Sequence, residues 1–527
     1  MTRQTNIEAS GERVRAEGPL PAQGSAVWSA SFWGLNLAVS IGVLSSLILF
    51  YTWVYSIHPD LAGGILSGRL AMELGDSFAE YSLYFPPAER TWFTLAAWIS
   101  NATGLAPDLT AILLTGVAML FSGGLGYQIR RQTVGATPLF LIGSIAVILM
   151  FSILLKNVVG LREHMVVLGL WPYLVLRLSD PENAVVGWKT RLVLGAWMGA
   201  TLLFKYLYSL VVLLVELADA AMSRRPLALL RIENLISGAI VATYLLVWLV
   251  LDPAQREAIS TIVGALDANL TDPVTNLQQS AIRLALAVFL VVVAHLYKVP
   301  KRVTAIGMAL VVGAVIAAAI QSRWYSHHLY PITIAYIAWW WMISRQVKWL
   351  WLVAIAIVLA RPVIGEFINT QPYQNGVREA EQAMSTAGVT VAGKRVGILI
   401  MNPSPFNQYL VSQGALRWNA SVNNSYVAAE LDSLDIPENA GLVSPPISLG
   451  DPARQYLHDE MLRLWEDMPP DALILDQSTN WPLLYVDVEW RRVFAEDPRF
   501  QAVLEQYRPV FEHKGEQLEF QYLERIE

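Results

Sequence analysis

The sequence predicts a polytopic α-helical membrane protein of about eleven spans followed by a soluble α/β domain. Three observations carry that expectation. The 527 residues are 54% hydrophobic and only 15% charged, with a mean hydropathy of +0.42, whereas soluble proteins carry about a quarter charged residues. The apolar residues are gathered into blocks of membrane-spanning length, such as 35–54 and 303–320. After Pro372 the composition changes to the mixed charged and apolar usage of a water-soluble fold.

By block length the spans fall near 33–55, 108–127, 137–155, 164–178, 192–204, 206–219, 232–250, 281–297, 303–320, 331–344 and 349–361. The fifth and sixth blocks are short, and charge decides their reading. Arg177, Lys189 and Arg191 lie on one flank, and Arg224, Arg225 and Arg231 on the other. If both flanks are cytoplasmic, as the positive-inside rule requires, the stretch between goes out and returns, turning near Lys205. With the N-terminus inside, the alternate connections carrying Arg130/Arg131, Lys298/Lys301/Arg302 and Arg345/Lys348 are then cytoplasmic too. An odd number of spans puts the C-terminus outside. Residues 1–30 read as a cytoplasmic tail with Arg3, Arg13 and Arg15 and no signal-peptide block. The apolar stretch from Phe32 to Tyr55 is too long for a cleaved signal. Residues 31–370 form the membrane domain, with a large outward loop at 56–107, and residues 371–527 form an outward α/β domain.

In that last domain, RVGILIM (395–401) and DALILD (471–476) are apolar runs of strand length. The loop NPSPFN and a helix from Gln408 follow the first run, and the amphipathic segment 454–469 precedes the second. The Asn-, Ser- and Pro-rich stretch 418–450 reads as loop. No phosphate loop is present. A net charge of −6 without a clustered basic face excludes nucleic acid as a partner. The absence of cysteine excludes disulfides, thiolate metal sites and cysteine nucleophiles.

Polar residues at the outer span ends form four clusters. His58-Pro59-Asp60 follows the first span, with Asp76 further on. A carboxylate there can serve as a general base, although Asp60 also suits the cap of a helix starting at Leu61. Arg162-Glu163-His164 stands at the mouth of the fourth span. Three ionisable residues in a row are costly at membrane depth unless paired or used. Arg162 can fork onto a phosphate or snorkel, while Glu163 and His164 can hold a divalent cation or a sugar hydroxyl. Lys205, alone between two apolar stretches, suits the phosphate of a lipid carrier. The connection 321–331 supplies Arg323, His327 and His328, and the adjacent histidines do not share a helix face for a two-His metal site. Glu163, Asp60 and Asp76 form a divalent site only if their loops fold together, so the metal requirement stays open.

Asp60 after the first span, the Pro86-Pro87 pair before an apolar helix, and LGAWMGATLLFKYLYSL (194–210) resemble the GT-C superfamily of membrane glycosyltransferases. KNVVGLREHMVVLGLWPYLVL (156–176), QSRWYSHHLYP (321–331), KRVGILIMN (394–402) and the pair Arg417-Trp418 are similar to an uncharacterised proteobacterial branch of it. The resemblance implies a bacterial inner-membrane enzyme with an acidic catalytic residue in its first outward loop. It would use a polyprenyl-phosphate-linked sugar donor and a periplasmic lipid, polysaccharide or protein acceptor. Catalysis would be inverting, with Asp60 as base (Asp76 the alternative) and Arg162, Lys205 and Arg323 on the phosphate, beside Glu163, His164 and His328. The chain departs from the pattern at Leu61, where many relatives carry a second acid, and at Tyr206, where many carry proline. Two other readings use the same groups: a flippase of a lipid-linked saccharide, and a catalytically inert partner in a polysaccharide-assembly complex. Transporters often carry internal repeats, and none is visible here.

Overall fold

The computed structural model describes residues 57–75, 87–135, 159–179, 185–251, 273–321, 326–344, 371–399, 404–419, 462–476, 497–516 and 518–526, with isolated positions at 41, 42, 45, 324 and 459. All but 41 and 42 belong to one compact unit, Val43–Glu527. The expected spans at 137–155 and 349–361 lie outside the described residues, as does nearly all of 33–55.

The membrane part contains α1 (Pro59–Leu74), α2 (Pro87–Thr103), α3 (Pro107–Val134), α4 (Arg162–Ser179), α5 (Trp188–Leu202), α6 (Ser209–Ser223), α7 (Ile232–Leu245), α8 (Pro273–Leu296), α9 (Lys301–Gln321) and α10 (Ser326–Ser344). A short 3₁₀ turn, Tyr206–Tyr208, leads into α6, and a π-helical turn, Leu246–Leu251, continues α7. Among the described residues four helices are long and apolar enough to cross a membrane: Pro107–Thr133, Tyr206–Ser223, Pro273–Leu296 and Lys301–Gln321. That is the composition of a multi-pass membrane protein. α8 begins at Pro273, ahead of the expected 281, because a proline is well placed in a first helical turn and the polar residues Thr275, Asn276 and Gln278 follow it in helix.

Most described residues of the connection 56–107 form the two helices α1 and α2, packed on each other. The first of these starts at Pro59, not Leu61. Its cap is His58, whose Nδ1 accepts the Asp60 amide at 3.1 Å.

Glycines set the close approaches in the bundle. A side chain at Gly169 would meet Thr201 across α4/α5, one at Gly195 the Glu233 backbone across α5/α7, one at Gly313 Val211 across α9/α6, and one at Gly307 the Trp339 indole across α9/α10. Small residues let helix backbones approach where lipid offers no hydrophobic incentive to associate. In α1, a side chain at Gly68 would meet the backbone of Phe93, which cannot swing aside. Gly68→Val is therefore expected to destabilise the protein by about 1–3 kcal/mol through overpacking. Gly124→Ala, with open space around it, should leave stability unchanged or slightly improved. Thermal unfolding of both variants in detergent checks the pair, and an unshifted midpoint for Gly68→Val would refute the packing argument.

The C-terminal part holds α11 (Gln371–Thr386), β1 (Arg395–Leu399), α12 (Ser404–Ser412), β2 (Leu416–Arg417), β3 (Ala472–Asp476), α13 (Pro498–Leu504), β4 (Tyr507–Lys514) and β5 (Glu519–Arg525). Its mixed sheet has the order β2-β1-β3-β5-β4. The β1 strand runs parallel to β2 and β3, while β5 is antiparallel to β3 and β4. Both expected strands are present, and the hairpin β4–β5 joins them. The helix expected from Gln408 begins earlier, at Ser404. Trp418, Trp465, Phe406, Phe500 and Tyr522 fill the core. Asn419 prolongs the β2 edge: its side-chain amide accepts from the Ile398 N–H at 2.7 Å and donates to the Ile398 carbonyl at 2.8 Å.

This domain packs directly on α1. The Arg69 guanidinium donates to the carbonyls of Ala415 (2.6 Å) and Gly414 (2.8 Å). The Gln408 amide donates to the Ile57 carbonyl, and α12 lies along α1.

Candidate active site

Two charged clusters mark the two ends of the helical bundle. One gathers the start of α4 (Glu163), the turn between α5 and α6 (Lys205) and the start of α10 (His328). The other gathers the end of α4 (Arg177), the start of α5 (Arg191), the far part of α6 (Glu216, Asp219), the approach to and start of α7 (Arg231, Glu233) and the start of α9 (Arg302). Helices α4, α5, α6 and α7 therefore alternate in direction, and the chain reverses at Lys205.

The first cluster is the candidate site. Gly160, at φ +82°, turns the chain into α4 in a conformation that suits glycine. Its N–H donates to His164 Nδ1 at 3.2 Å. That bond fixes the tautomer with the proton on Nε2, which is buried and has no hydrogen-bond partner among the described residues. The His164 ring packs edge-on against Tyr330 of α10, with centroids 5.9 Å apart. One residue earlier, the buried Glu163 forms an ion pair with Lys205 through Oε1, and His328 Nε2 approaches the same oxygen at 3.5 Å. Lys205 is held by its turn and by Phe204, which meets Trp92 of α2 edge to face at 5.9 Å.

That aromatic contact brings α2 to the site and with it Glu89, a residue the sequence pattern did not single out. Glu89 is buried, and its Oε2 stands 3.6 Å from Arg162 Nη1. Burial raises its carboxyl above the ordinary carboxylate range. Arg162 opposes that shift, the negative charges of Glu163 and Asp60 add to it, and Lys205 opposes it more weakly. One carboxylate thus lies within electrostatic reach of Asp60, Arg162, Glu163 and Lys205 together. The available signal was its place directly after Pro86-Pro87, where an acid three residues into a helix reads simply as a dipole partner.

Asp60 sits in the first turn of α1, 3.8 Å from His58, with its side chain 50% exposed. Leu61, its neighbour, lies against Gly160 at the mouth of α4. The structure therefore brings together Asp60, Arg162, Glu163, His164, Lys205 and His328. Asp76 and Arg323 lie outside the described residues, as does the side chain of His327. Among the described residues no three His, Asp or Glu side chains are placed to hold a metal ion. Glu163 is engaged by Lys205 and His328 instead.

In the second cluster Arg177 is fully buried between Glu216 and Glu233. The Tyr173 hydroxyl donates to Glu216 at 2.8 Å. Arg231 donates to Glu216 (3.0 Å) and Asp219 (2.8 Å), and Arg302 to Asp219 (2.6 Å). The arginines from which the sequence reading expects a cytoplasmic side are thus also the partners of three buried acids. Glu216 and Asp219, three apart inside an apolar stretch, carried that signal.

Chemically, the first cluster offers carboxylates able to take a proton beside cations able to hold an anion. An ammonium has three donors, so the contact of Lys205 with one carboxylate does not exhaust it. Arg162, 36% exposed, presents a fork suited to phosphate. No protein-family model matches this chain, and no curated protein or solved structure matches it significantly.

Proposed function

We propose that this chain is a GT-C-type membrane glycosyltransferase. It would transfer a sugar from a polyprenyl-phosphate donor to a lipid, polysaccharide or protein acceptor at the periplasmic face of a bacterial inner membrane. The observation that carries the proposal is the convergence of Lys205, Arg162 and His328, from separate elements, on two buried carboxylates beside Asp60. About eleven spans with basic cytoplasmic connections set that cluster, α1, α2 and the C-terminal domain on the outer side.

In the reaction, an acceptor hydroxyl gives its proton to a carboxylate as its oxygen bonds to the sugar's anomeric carbon. The bond from that carbon to the carrier phosphate breaks. The departing polyprenyl phosphate takes the electron pair, and its charge is met by Lys205 and Arg162. Asp60, half-exposed in the first turn of α1, would receive the acceptor's proton; Glu89 holds Arg162.

The test is transfer of radiolabelled sugar from a panel of polyprenyl-phosphate donors in proteoliposomes. Wild-type protein should form glycosylated product, and Lys205→Met should lower turnover by roughly 10²-fold or more, the scale of removing one electrostatic stabiliser. A flippase would move donor without consuming it, so absence of product from every donor would overturn the proposal.

A further inference from the structure

We infer that the seam between α1 and the C-terminal domain is a second anion-binding site, built on Arg417, that takes the carboxylate or phosphate of an anionic saccharide. Arg417 ends β2, where it pairs with Val396 near the start of β1. Arg417 has no carboxylate partner among the described residues. Its hydrogen bond there runs from Nη1 to Asn407 Oδ1 at 3.1 Å, and its Nε is buried and unsatisfied. Burial pulls the guanidinium down to about 10. Every other buried or half-buried arginine described above has an acid or a backbone carbonyl to bind. An uncompensated guanidinium is costly to keep and has the planar fork that reads carboxylate or phosphate.

The surroundings narrow the ligand. Asn407 and Gln408, both buried, stand side by side on α12. Gln408 Oε1 is a buried acceptor with no donor among the described residues, while its Nε2 is bound to the Ile57 carbonyl. Asn407 Nδ2 lies 3.9 Å from the place a β-carbon would take at Gly63. The two amides therefore reach Ile57, just ahead of α1, and the surroundings of Gly63 within it, on either side of Asp60 in sequence. An orphan cation wants an anion, and an orphan amide oxygen wants a hydroxyl. A sugar acid or sugar phosphate carries both.

The inference rests on the transferase reading only in making this the subsite of an anionic acceptor; the binding itself does not. Titration calorimetry on the full-length protein in detergent, with glucuronate, a hexose phosphate and uncharged glucose, tests it without donor or turnover. Glucuronate or the hexose phosphate should bind, glucose should not, and Arg417→Gln should weaken binding about ten- to a hundredfold, the scale of a lost charged hydrogen bond. Asn407→Ala, which keeps the charge but loses its anchor, should weaken binding less, and it guards against misfolding of the first variant. Equal affinity in Arg417→Gln, or no binding of either anion to wild type, overturns the site. Anion binding in a protein that transfers no sugar would leave it standing while the transferase reading fell.

Discussion

Asp60→Asn is expected to lower sugar transfer by about 10²–10⁴-fold, the usual worth of a general base. The loss should fall on kcat and leave the donor's KM nearly unchanged, because proton removal belongs to the transition state. Glu89→Gln should behave differently. It leaves Arg162 without the carboxylate 3.6 Å away, so donor binding weakens and KM rises while kcat falls less. The reverse pattern would assign the base to Glu89, and the pH profile offers an independent check. A base works deprotonated, so kcat/KM climbs with pH through its pKa. Burial holds Glu89 protonated to higher pH than an ordinary carboxyl. An acid limb displaced upward would therefore point to Glu89.

The second large effect is on stability. Arg177→Met is expected to cost about 3–5 kcal/mol, because it leaves Glu216 and Glu233 buried without their shared cation. Glu216 keeps Arg231 and Tyr173, so the heavier burden falls on Glu233, whose other described cation, Arg191, stands 3.9 Å away. The double variant Arg177→Met/Glu233→Gln should recover part of the loss. Thermal unfolding in detergent reads both, and an unchanged midpoint for Arg177→Met would mean that the network contributes nothing.

Much of the helical framework was legible from block length and cation placement, because an apolar stretch in lipid has few alternatives to helix. The reversal at Lys205 followed from the arginines flanking two short blocks. What escaped is instructive at particular residues. The pairing of α1 with α2 escaped because Gly63, Gly64 and Gly68 dilute the apolar pattern of α1, yet Gly64 and Gly68 seat Phe93 of the partner helix. The hairpin β4–β5 was hidden because β4 is mostly exposed and carries Pro509, although Phe520 and Tyr522 alternate in β5 as buried strand residues do. Glu89 was invisible as a site residue because tertiary contacts, its own with Arg162 and that of Trp92 with Phe204, bring it to the site. The acids opposite Arg177 were missed because a rule that counts cations ignores what they pair with.

The grip of Arg69 on the carbonyls of Gly414 and Ala415 joins residues 346 positions apart in the chain. At about 5–20 residues per second of synthesis, that separation amounts to roughly twenty to seventy seconds. During that interval the face of α1 destined for the C-terminal domain has been made but has nothing to lie against. The seam between α1 and the C-terminal domain consequently matures late, and a chain interrupted before residue 415 would present quality-control proteases with a helical bundle bearing an uncovered flank.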